Sequence, residues 1–315
     1  MTLKIVVLDR DTLPGHKFAF DFPHGLTCYG TSRPEEASER IRGADIVITN
    51  KAVVSAEAVA ENPQLKLIAV AATGVNNVAV EAAKKAGVAV CNVRSYGNES
   101  VAEHAFMLMI ALMRNLPAYQ RDVAAGAWQK SPFFCHYGAP MRDLNGKTLA
   151  IFGRGNIGRT LAGYARAFHM NVIFGEHKHA ETVRDGYVSF DKAVQTADVI
   201  SLHCPLTEQT ADMIGAAEFA RMKPEAILIN CGRGGLVNEP ALITALQNGT
   251  IGGAGFDVLT QEPPVNGNPL LSYGLPNLIV TPHTAWASRE AFDNLFNILL
   301  DNVNRFIAGK PQNLV

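Results

Sequence analysis

Residues 148–158 read TLAIFGRGNIG, an apolar, strand-like run that leads directly into the glycine spacing G-x-G-x-x-G. A helical pattern follows over residues 157–168. In such a strand–turn–helix unit Gly153 permits the tight turn, Gly155 lets the backbone approach a pyrophosphate, and Gly158 allows the helix to pack closely on the strand. The free N–H groups at the start of the helix then face the phosphates. The segment therefore predicts the dinucleotide-binding turn of a Rossmann domain.

An acidic residue follows the next predicted strand, residues 171–174. Glu176 lies eighteen residues beyond Gly158, where a carboxylate accepts hydrogen bonds from the adenosine ribose and repels a 2′-phosphate. Residues 177–179 read HKH, and a cation at these positions is suited to binding that phosphate instead. The sequence therefore favours NAD over NADP and leaves NADP open as the alternative.

Short β-branched runs alternate with helix-length segments along the whole chain, which indicates parallel sheets covered by helices on both faces. The predicted strands before residue 100 are 4–8, 44–49, 65–71 and 88–93. The pattern restarts near Lys147, with predicted strands at 148–152, 171–174, 198–202, 226–230, 253–257 and 278–281. Because 315 residues are enough for two hydrophobic cores, we expect two α/β domains in series.

A predicted helix joins the two halves. Ser100 and Glu103 have the S-x-x-E spacing of a capping box, so the helix is expected to start there and to run to about Asn115. Its middle is apolar nearly all round, which indicates burial on every side. A core helix and a helix in a domain or subunit interface fit this pattern equally. A last helical pattern covers residues 288–307.

Composition argues against several classes of partner. The hydrophobic fraction of 48% and the charged fraction of 18% are those of an ordinary globular protein. The formal net charge of -1 gives no basic excess for nucleic acid or for an anionic membrane. The longest apolar run, residues 105–113, is far shorter than the roughly 20 residues that span a bilayer. The five cysteines have no C-x-x-C spacing, which argues against disulfides and a metal site, so a reducing cytoplasm fits best.

Three polar residues follow three of the predicted strands, where ligands bind in open parallel sheets. Arg233 follows the strand at 226–230, Glu262 follows the strand at 253–257, and His283 follows the last strand. Singly, they have ordinary explanations as a turn cap, a solvated loop acid and a core histidine. Together, after successive strands of a nucleotide-binding sheet, they predict a catalytic site.

The chemistry of 2-keto acid reduction fits these three residue types. The reaction adds a hydride to the carbonyl carbon and a proton to its oxygen. An arginine fork suits a planar carboxylate, and a histidine supplies a proton near neutral pH. A carboxylate beside that histidine stabilises the imidazolium and orients the ring. The three residues therefore predict hydride transfer between a nicotinamide coenzyme and a small 2-keto acid.

Longer motifs make a family recognisable. Residues 230–239 read NCGRGGLVNE, residues 253–258 read GAGFDV and residues 202–207 read LHCPLT. With the glycine turn and the pair Pro282-His283, they resemble the D-isomer-specific 2-hydroxyacid dehydrogenase family over essentially the whole chain. The resemblance implies an NAD-dependent oxidoreductase that interconverts a small 2-keto acid and the D-2-hydroxy acid.

The resemblance also implies the architecture. The expected fold class is α/β, with two doubly wound parallel-sheet domains and a cleft between them. Residues 1–98 plus 288–315 are expected to form a flavodoxin-like substrate domain, and residues 99–287 a Rossmann NAD-binding domain. Because members of the family are usually homodimers, a homodimer is expected here.

Residue by residue, the resemblance implies that Arg233 orients the substrate, that His283 is the acid/base and that Glu262 is its partner. It places Asp257 at the nicotinamide amide. The full set of expected coenzyme contacts is Gly153, Gly155, Asn156, Ile157, Gly158, Glu176, Pro205, Cys231, Gly232 and Asp257.

The substrate loop of the family, which offers backbone N–H groups to the carboxylate, corresponds to Ala72, Thr73, Gly74, Val75 and Asn76. Ala72 stands where the family usually has a glycine, and Asn76 and Ala79 stand where acids are often found. These departures leave the shape of the substrate pocket open.

Other substrates and one other class of protein compete with this interpretation. Relatives that act on formate have a neutral residue in place of the glutamate partner, so Glu262 argues against that activity. A phosphorylated substrate needs several cations, and near the loop the sequence offers only Lys51. Another small or branched 2-keto acid stays an alternative, as does a non-enzymatic NAD-sensing protein related to corepressors. The segment that contains Trp286, and the pair Asn50-Lys51, resemble the corresponding segments of glycerate dehydrogenases and hydroxypyruvate reductases. This resemblance favours hydroxypyruvate or glyoxylate as the substrate. It also adds Trp286 to the expected substrate contacts.

Overall fold

A computed structural model describes residues 2–315. The strands are β1 (Leu3–Val7), β2 (His24–Cys28), β3 (Ile46–Thr49), β4 (Leu67–Val70), β5 (Ala89–Asn92), β6 (Thr148–Phe152), β7 (Asn171–Gly175), β8 (Val199–Leu202), β9 (Ile227–Asn230), β10 (Gly253–Phe256) and β11 (Leu278–Val280). The helices are α1 (Pro34–Arg40), α2 (Ala56–Ala60), α3 (Val80–Lys85), α4 (Asn98–Met113), α5 (Leu116–Ala124), α6 (Asn156–Ala167), α7 (Phe190–Thr196), α8 (Ala216–Phe219), α9 (Glu239–Gln247) and α10 (Arg289–Ile307). The chain forms two compact units, one from residues 2–97 with 287–315 and the other from residues 98–286. Over the range 2–315, no helix has the length and apolar composition needed to cross a bilayer.

The first unit contains a five-stranded parallel sheet in the order β2-β1-β3-β4-β5. This is the flavodoxin-like order. Strands β3 and β4 are buried along their whole length, because their β-branched and aliphatic side chains are covered on both faces. Strand β2 was not predicted, because four of its five residues are exposed and form no apolar run. Its pairing with β1 makes it a strand.

The last residues of the chain belong to the edge of this first sheet. Cys91 in β5 forms an antiparallel bridge with Leu314, and the N–H of Asn92 donates to the carbonyl of Asn313 over 3.1 Å. The buried side chain of Asn302 in α10 donates to the carbonyl of Asn92 over 2.9 Å. The first unit is therefore completed by a segment that follows the second unit in the chain.

The second unit contains a six-stranded parallel sheet in the order β7-β6-β8-β9-β10-β11. A single parallel bridge between Gly175 and Val188 extends the sheet beyond β7, where the third strand of a Rossmann domain lies. The order of strands reverses between β6 and β8, and ligands bind at such switch points. Both sheets are parallel, so the predicted fold class is confirmed.

Helix α4 differs in two respects from the prediction. It begins at Asn98, so Ser100 lies inside the first turn, where its hydroxyl donates to the carbonyl of Ala285 over 2.6 Å. The capping-box prediction is therefore wrong. The helix packs on α6, β9 and β10, but Met107 is half exposed, so within this unit α4 is not buried on every side.

Candidate active site

The glycine turn between β6 and α6 has the close approaches that the sequence predicts. Gly153 has a φ of 107°, and a Cβ at this position would lie 2.5 Å from the carbonyl oxygen of His203. A Cβ on Gly158 would lie 2.0 Å from the carbonyl oxygen of Gly153. A Cβ on Gly155, the N-cap of α6, would meet nothing within 4 Å. The turn therefore cannot carry side chains at two glycines, and it leaves open space beside the third, where α6 begins.

A cavity of about 350 Å³ lies beside this turn. Its lining comes from residues 152–155, 175–178, 184, 187, 203–205, 209–210 and 213. His203 contributes a ring whose Nε2 is 2.8 Å from the hydroxyl of Ser201, while its buried Nδ1 has no partner. Burial lowers the pKa of His203 to about 4, so the ring is neutral at neutral pH. The cavity therefore combines a glycine turn, the N-terminus of α6 and a buried nitrogen without a partner. This combination fits a bound dinucleotide.

Glu176 also lines this cavity, just after β7, and only 2% of it is exposed. Its carboxylate accepts a two-pronged hydrogen bond from the Arg184 guanidinium, with both N–O distances 2.7 Å. It also accepts the backbone N–H groups of His177, at 2.9 Å, and of Arg184, at 3.2 Å. Chiefly the Arg184 hydrogen bonds, together with these backbone donors, hold the pKa of Glu176 at about 2. No sequence pattern marks Arg184, because it lies on an irregular loop for which no spacing rule exists.

Lys178, one of the cations that follow the acid, is turned towards other groups. Its ammonium group lies 2.8 Å from the buried carboxylate of Glu218 and 3.1 Å from the carbonyl oxygen of Met213. Its charge is therefore compensated within the cavity wall.

The two side chains expected to act as acid/base and partner contact each other, and their catalytic roles stay a prediction. His283 follows β11 and Glu262 follows β10, and the Nδ1 atom of His283 lies 2.5 Å from Oε2 of Glu262. The other carboxylate oxygen accepts the N–H of Leu259 over 2.8 Å. About a third of each side chain is exposed. Because Nδ1 is engaged by the carboxylate, Nε2 is the ring nitrogen suited to exchanging a proton with a substrate.

Asp257 anchors the turn that carries His283. Its side chain, 1% exposed, accepts the hydroxyl of Thr281 at 2.5 Å, the N–H of Thr284 at 3.0 Å and the N–H of Ala285 at 2.8 Å. Within this turn His283 has a left-handed φ of 54°. Both carboxylate oxygens therefore have partners in the turn, and the expected contact with a nicotinamide amide stays a prediction.

Two further side chains contact this turn. His104 in α4 lies 2.8 Å from the Thr281 hydroxyl, and burial lowers its pKa against the opposing effect of the Asp257 charge. Trp286 is partly buried against the core beneath α4, and its indole N–H donates to the carbonyl of His283 over 3.0 Å. No sequence pattern marks His104, which lies 177 residues from its partner.

Arg233 follows β9, in a loop fixed by the buried side chain of Asn230. That amide donates to the carbonyl of Arg233 over 2.9 Å and accepts the N–H of Gly232 over 3.1 Å. The Arg233 guanidinium donates to the carbonyl of Gly232 over 2.8 Å. Gly234 cannot be replaced, since a Cβ there would lie 1.8 Å from the carbonyl oxygen of Leu259. Cys231 is buried at the end of β9, and Pro205 lines the coenzyme cavity.

The predicted substrate loop follows β4 in the first unit. Ala72 is buried. The Thr73 hydroxyl donates to the carbonyl of Val93 over 3.0 Å, and the Asn92 amide donates to the carbonyl of Thr73 over 2.7 Å. These bonds fix the loop backbone. Within residues 2–315, no group of three or more His, Cys, Asp or Glu side chains is arranged to hold a metal ion.

The chain is similar to known proteins over nearly its whole length. The family model described as "D-isomer specific 2-hydroxyacid dehydrogenase, NAD binding domain" matches residues 106–285. Glycerate dehydrogenase from Methylorubrum extorquens is 48% identical, over 100% of this chain and 99% of its own length. Hydroxypyruvate reductase from Blautia hydrogenotrophica is 36% identical, over 89% of this chain and 88% of its own length. D-Lactate dehydrogenase from Aquifex aeolicus, in complex with NAD and lactic acid, superimposes with a TM-score of 0.80 at 26% identity, over 98% of this chain and 96% of that one.

The family model spans most of the second unit, and the similarity to relatives extends over nearly the whole chain. NAD is the coenzyme, and the enzyme interpretation is favoured over a non-catalytic NAD sensor. This protein therefore belongs to the D-isomer specific 2-hydroxyacid dehydrogenase family, as an NAD-dependent oxidoreductase of the CH–OH group.

Proposed function

We propose that the protein reduces hydroxypyruvate or glyoxylate with NADH and, in the reverse direction, oxidises D-glycerate. The observation that carries the proposal is the His283–Glu262 pair, 2.5 Å apart, at the strand ends of a sheet with a dinucleotide turn. The names of two relatives, a glycerate dehydrogenase at 48% identity and a hydroxypyruvate reductase at 36%, support the choice of substrate. Another small or branched 2-keto acid is the second candidate within the same family.

Each residue of the pair has a defined task in this proposal. NADH, when bound, supplies the hydride. His283 gives a proton from Nε2 to the carbonyl oxygen of the substrate, and Glu262 stabilises the imidazolium before that transfer. The Arg233 fork binds the substrate carboxylate and polarises the adjacent carbonyl. Backbone N–H groups of residues 72–76 are proposed as further donors to that carboxylate.

Trp286 is the residue proposed to limit substrate size. Its indole N–H is bonded to the His283 carbonyl, which ties the ring to the backbone of the acid–base residue. We propose that a large ring fixed in this way favours a hydroxymethyl group over an isobutyl group. Because one methylene changes binding in an apolar pocket by only about 1–3 kcal/mol, we expect a preference for small substrates and not an absolute exclusion of larger ones.

The test is a comparison of kcat/KM for hydroxypyruvate, glyoxylate, pyruvate and 2-ketoisocaproate. We expect hydroxypyruvate or glyoxylate to have the highest value in the wild type. Trp286→Ala should raise the relative rate with 2-ketoisocaproate. Trp286→Phe, which keeps a ring but loses the N–H, is the matched control and should keep the preference. If 2-ketoisocaproate is the best substrate of the wild type, the substrate proposal fails while the family assignment stands.

We also propose that the protein is a homodimer and that it works in the cytoplasm. Eight large apolar side chains between residues 107 and 141 are exposed in the second unit, and Phe134 is 92% exposed. Apolar side chains concentrated in this way mark a protein–protein interface, and a second copy of the same chain is the partner proposed. The cytoplasmic location stays a prediction.

A further inference from the structure

The acid expected to contact the adenosine ribose, Glu176, is neutralised by a neighbouring cation. Glu176 has a pKa of about 2, so its carboxylate is charged at any working pH. The guanidinium of Arg184 is bonded to it through two nitrogens at 2.7 Å, so the pair has no net charge. A carboxylate alone repels a 2′-phosphate, but this carboxylate is accompanied by a cation that lines the same cavity.

The cations of this cavity are not equivalent. Lys178 is held by Glu218 and Met213. The guanidinium of Arg154 lies over the ring of Phe174, 5.1 Å from its centroid, and donates to the carbonyl of Asp185. Arg184 is the residue bonded directly to the acid, and about half of its side chain is exposed.

Arg184 is also fixed in orientation. Its guanidinium lies over the ring of Tyr187, 4.2 Å from the centroid, while its edge faces Glu176. A guanidinium held between an aromatic face and a carboxylate loses little further freedom when it binds a phosphate. Its remaining N–H groups are charged donors suited to a phosphate that binds beside the acid.

We propose that Arg184 moderates the coenzyme selectivity of this enzyme. Glu176 makes NADH the better coenzyme, and Arg184 limits the rejection of NADPH by supplying a donor and a positive charge for the 2′-phosphate. The inference rests on the expected contact of Glu176 with the adenosine ribose. It does not depend on the identity of the keto-acid substrate.

Substitution of Arg184 leaves the acid in place. The backbone N–H groups of His177 and Arg184 still donate to the carboxylate, so Arg184→Gln removes the cation and keeps a charged, positioned Glu176. The opposite substitution, Glu176→Gln, leaves the guanidinium without its anion. The double variant removes both charges, and Arg166→Gln on the exposed end of α6 is the control for loss of a positive charge elsewhere.

The experiment measures binding of adenosine 2′,5′-bisphosphate and of adenosine 5′-monophosphate by calorimetry, followed by kcat/KM with NADPH and NADH. Arg184→Gln should weaken the bisphosphate by about 10- to 100-fold, the range for a hydrogen bond to a charged group, and leave the monophosphate close to the wild type. Glu176→Gln should strengthen the bisphosphate, weaken the monophosphate and move the coenzyme preference towards NADPH. The double variant should lose this gain, and Arg166→Gln should change neither ligand.

Two results overturn the inference in distinguishable ways. If Arg184→Gln weakens the monophosphate as much as the bisphosphate, Arg184 only orients the acid and does not moderate the selectivity. If Glu176→Gln alters neither ligand, the expected ribose contact is itself wrong, and the inference built on it falls as well. Neither result bears on the substrate proposal, because neither ligand contains the keto acid.

Discussion

His283 is fixed both through its side chain and through its backbone. The ring is bonded to Glu262, and the residue adopts a left-handed φ of 54°. This conformation costs a residue with a Cβ roughly 1–2 kcal/mol, so the contacts of the surrounding turn must hold it. Strain of this kind is concentrated at functional sites, where a fixed side-chain direction has a use.

Loss of the His283 side chain should remove proton donation without removing coenzyme binding. We expect His283→Ala to lower turnover by about 10²- to 10⁴-fold, the range for general acid catalysis. His283→Asn is the matched variant, because asparagine tolerates the left-handed conformation and so preserves the turn. Turnover and the Kd of NADH are measured for both, and near-wild-type turnover in the asparagine variant would show that another group donates the proton.

Neutralising Glu262 should slow proton donation by His283. In Glu262→Gln the amide oxygen can still accept the N–H of Leu259, but it no longer stabilises a positive imidazolium. We therefore expect a lower kcat in keto-acid reduction and an unchanged Kd of NADH. A kcat equal to that of the wild type would remove Glu262 from its proposed role.

Among individual residues, the sequence predicts those whose position follows from the end of a strand. Arg233, Glu262 and His283 each follow a strand, and neighbouring parallel strands end at one edge, so the close approach of the last two could be expected. Arg184 and His104 could not be predicted. Their roles depend on contacts made only after the chain has folded, and no periodicity marks them.

The turn after β11 is an element whose shape depends on one buried acid. Asp257 accepts three donors from residues 281–285, and an asparagine cannot accept all three because one of its two polar atoms is a donor. In Asp257→Asn at least one N–H of the turn loses its partner, at a cost of about 1–3 kcal/mol where that group is buried, as at Ala285. We expect faster hydrogen exchange at the amides of Thr284 and Ala285 and a lower kcat.

Asp293→Asn, on the exposed side of α10, is a suitable control for the change of charge and should leave both amides protected. If the exchange rates of Thr284 and Ala285 in Asp257→Asn equal those of the wild type, Asp257 does not hold the turn. A large rise in the Kd of NADH with unchanged exchange would instead support the expected nicotinamide contact.

The elements themselves were predictable where burial produces a pattern. The ten predicted strands are all present, with ends that differ by at most two residues, because buried parallel strands are continuous apolar runs. Strand β2, an exposed edge of sequence HGLTC, has no such run. The start of α4 was predicted two residues too late, because the Ser100 hydroxyl is bonded to Ala285 and is not used as a cap.

The whole molecule has an exposed apolar surface that assembly would cover. In residues 116–141, Phe134 and Tyr137 are 92% and 80% exposed, and burying side chains of this size stabilises an interface by about 1.5–3 kcal/mol each. Phe134→Ser with Tyr137→Ser should therefore shift the sedimentation of the protein from dimer to monomer. Leu271→Ser, at an exposed apolar residue elsewhere in the same unit, should leave it dimeric. A wild type that sediments as a monomer would contradict the proposal directly.

The return of the chain to the first unit has a consequence for biosynthesis. The ribosome synthesises residues up to 97 first. Two parts of the first unit are made only after residues 98–286: helix α10, which packs against β4, and the segment that pairs with β5. The second unit is contiguous, so it can complete its core while the first is still unfinished, the reverse of the usual N-terminal-first order. At about 5–20 residues per second the interval is roughly 10–40 s. During that time the apolar face that α10 later covers is accessible to chaperones. We therefore expect the nascent chain to be more prone to aggregation than the finished enzyme.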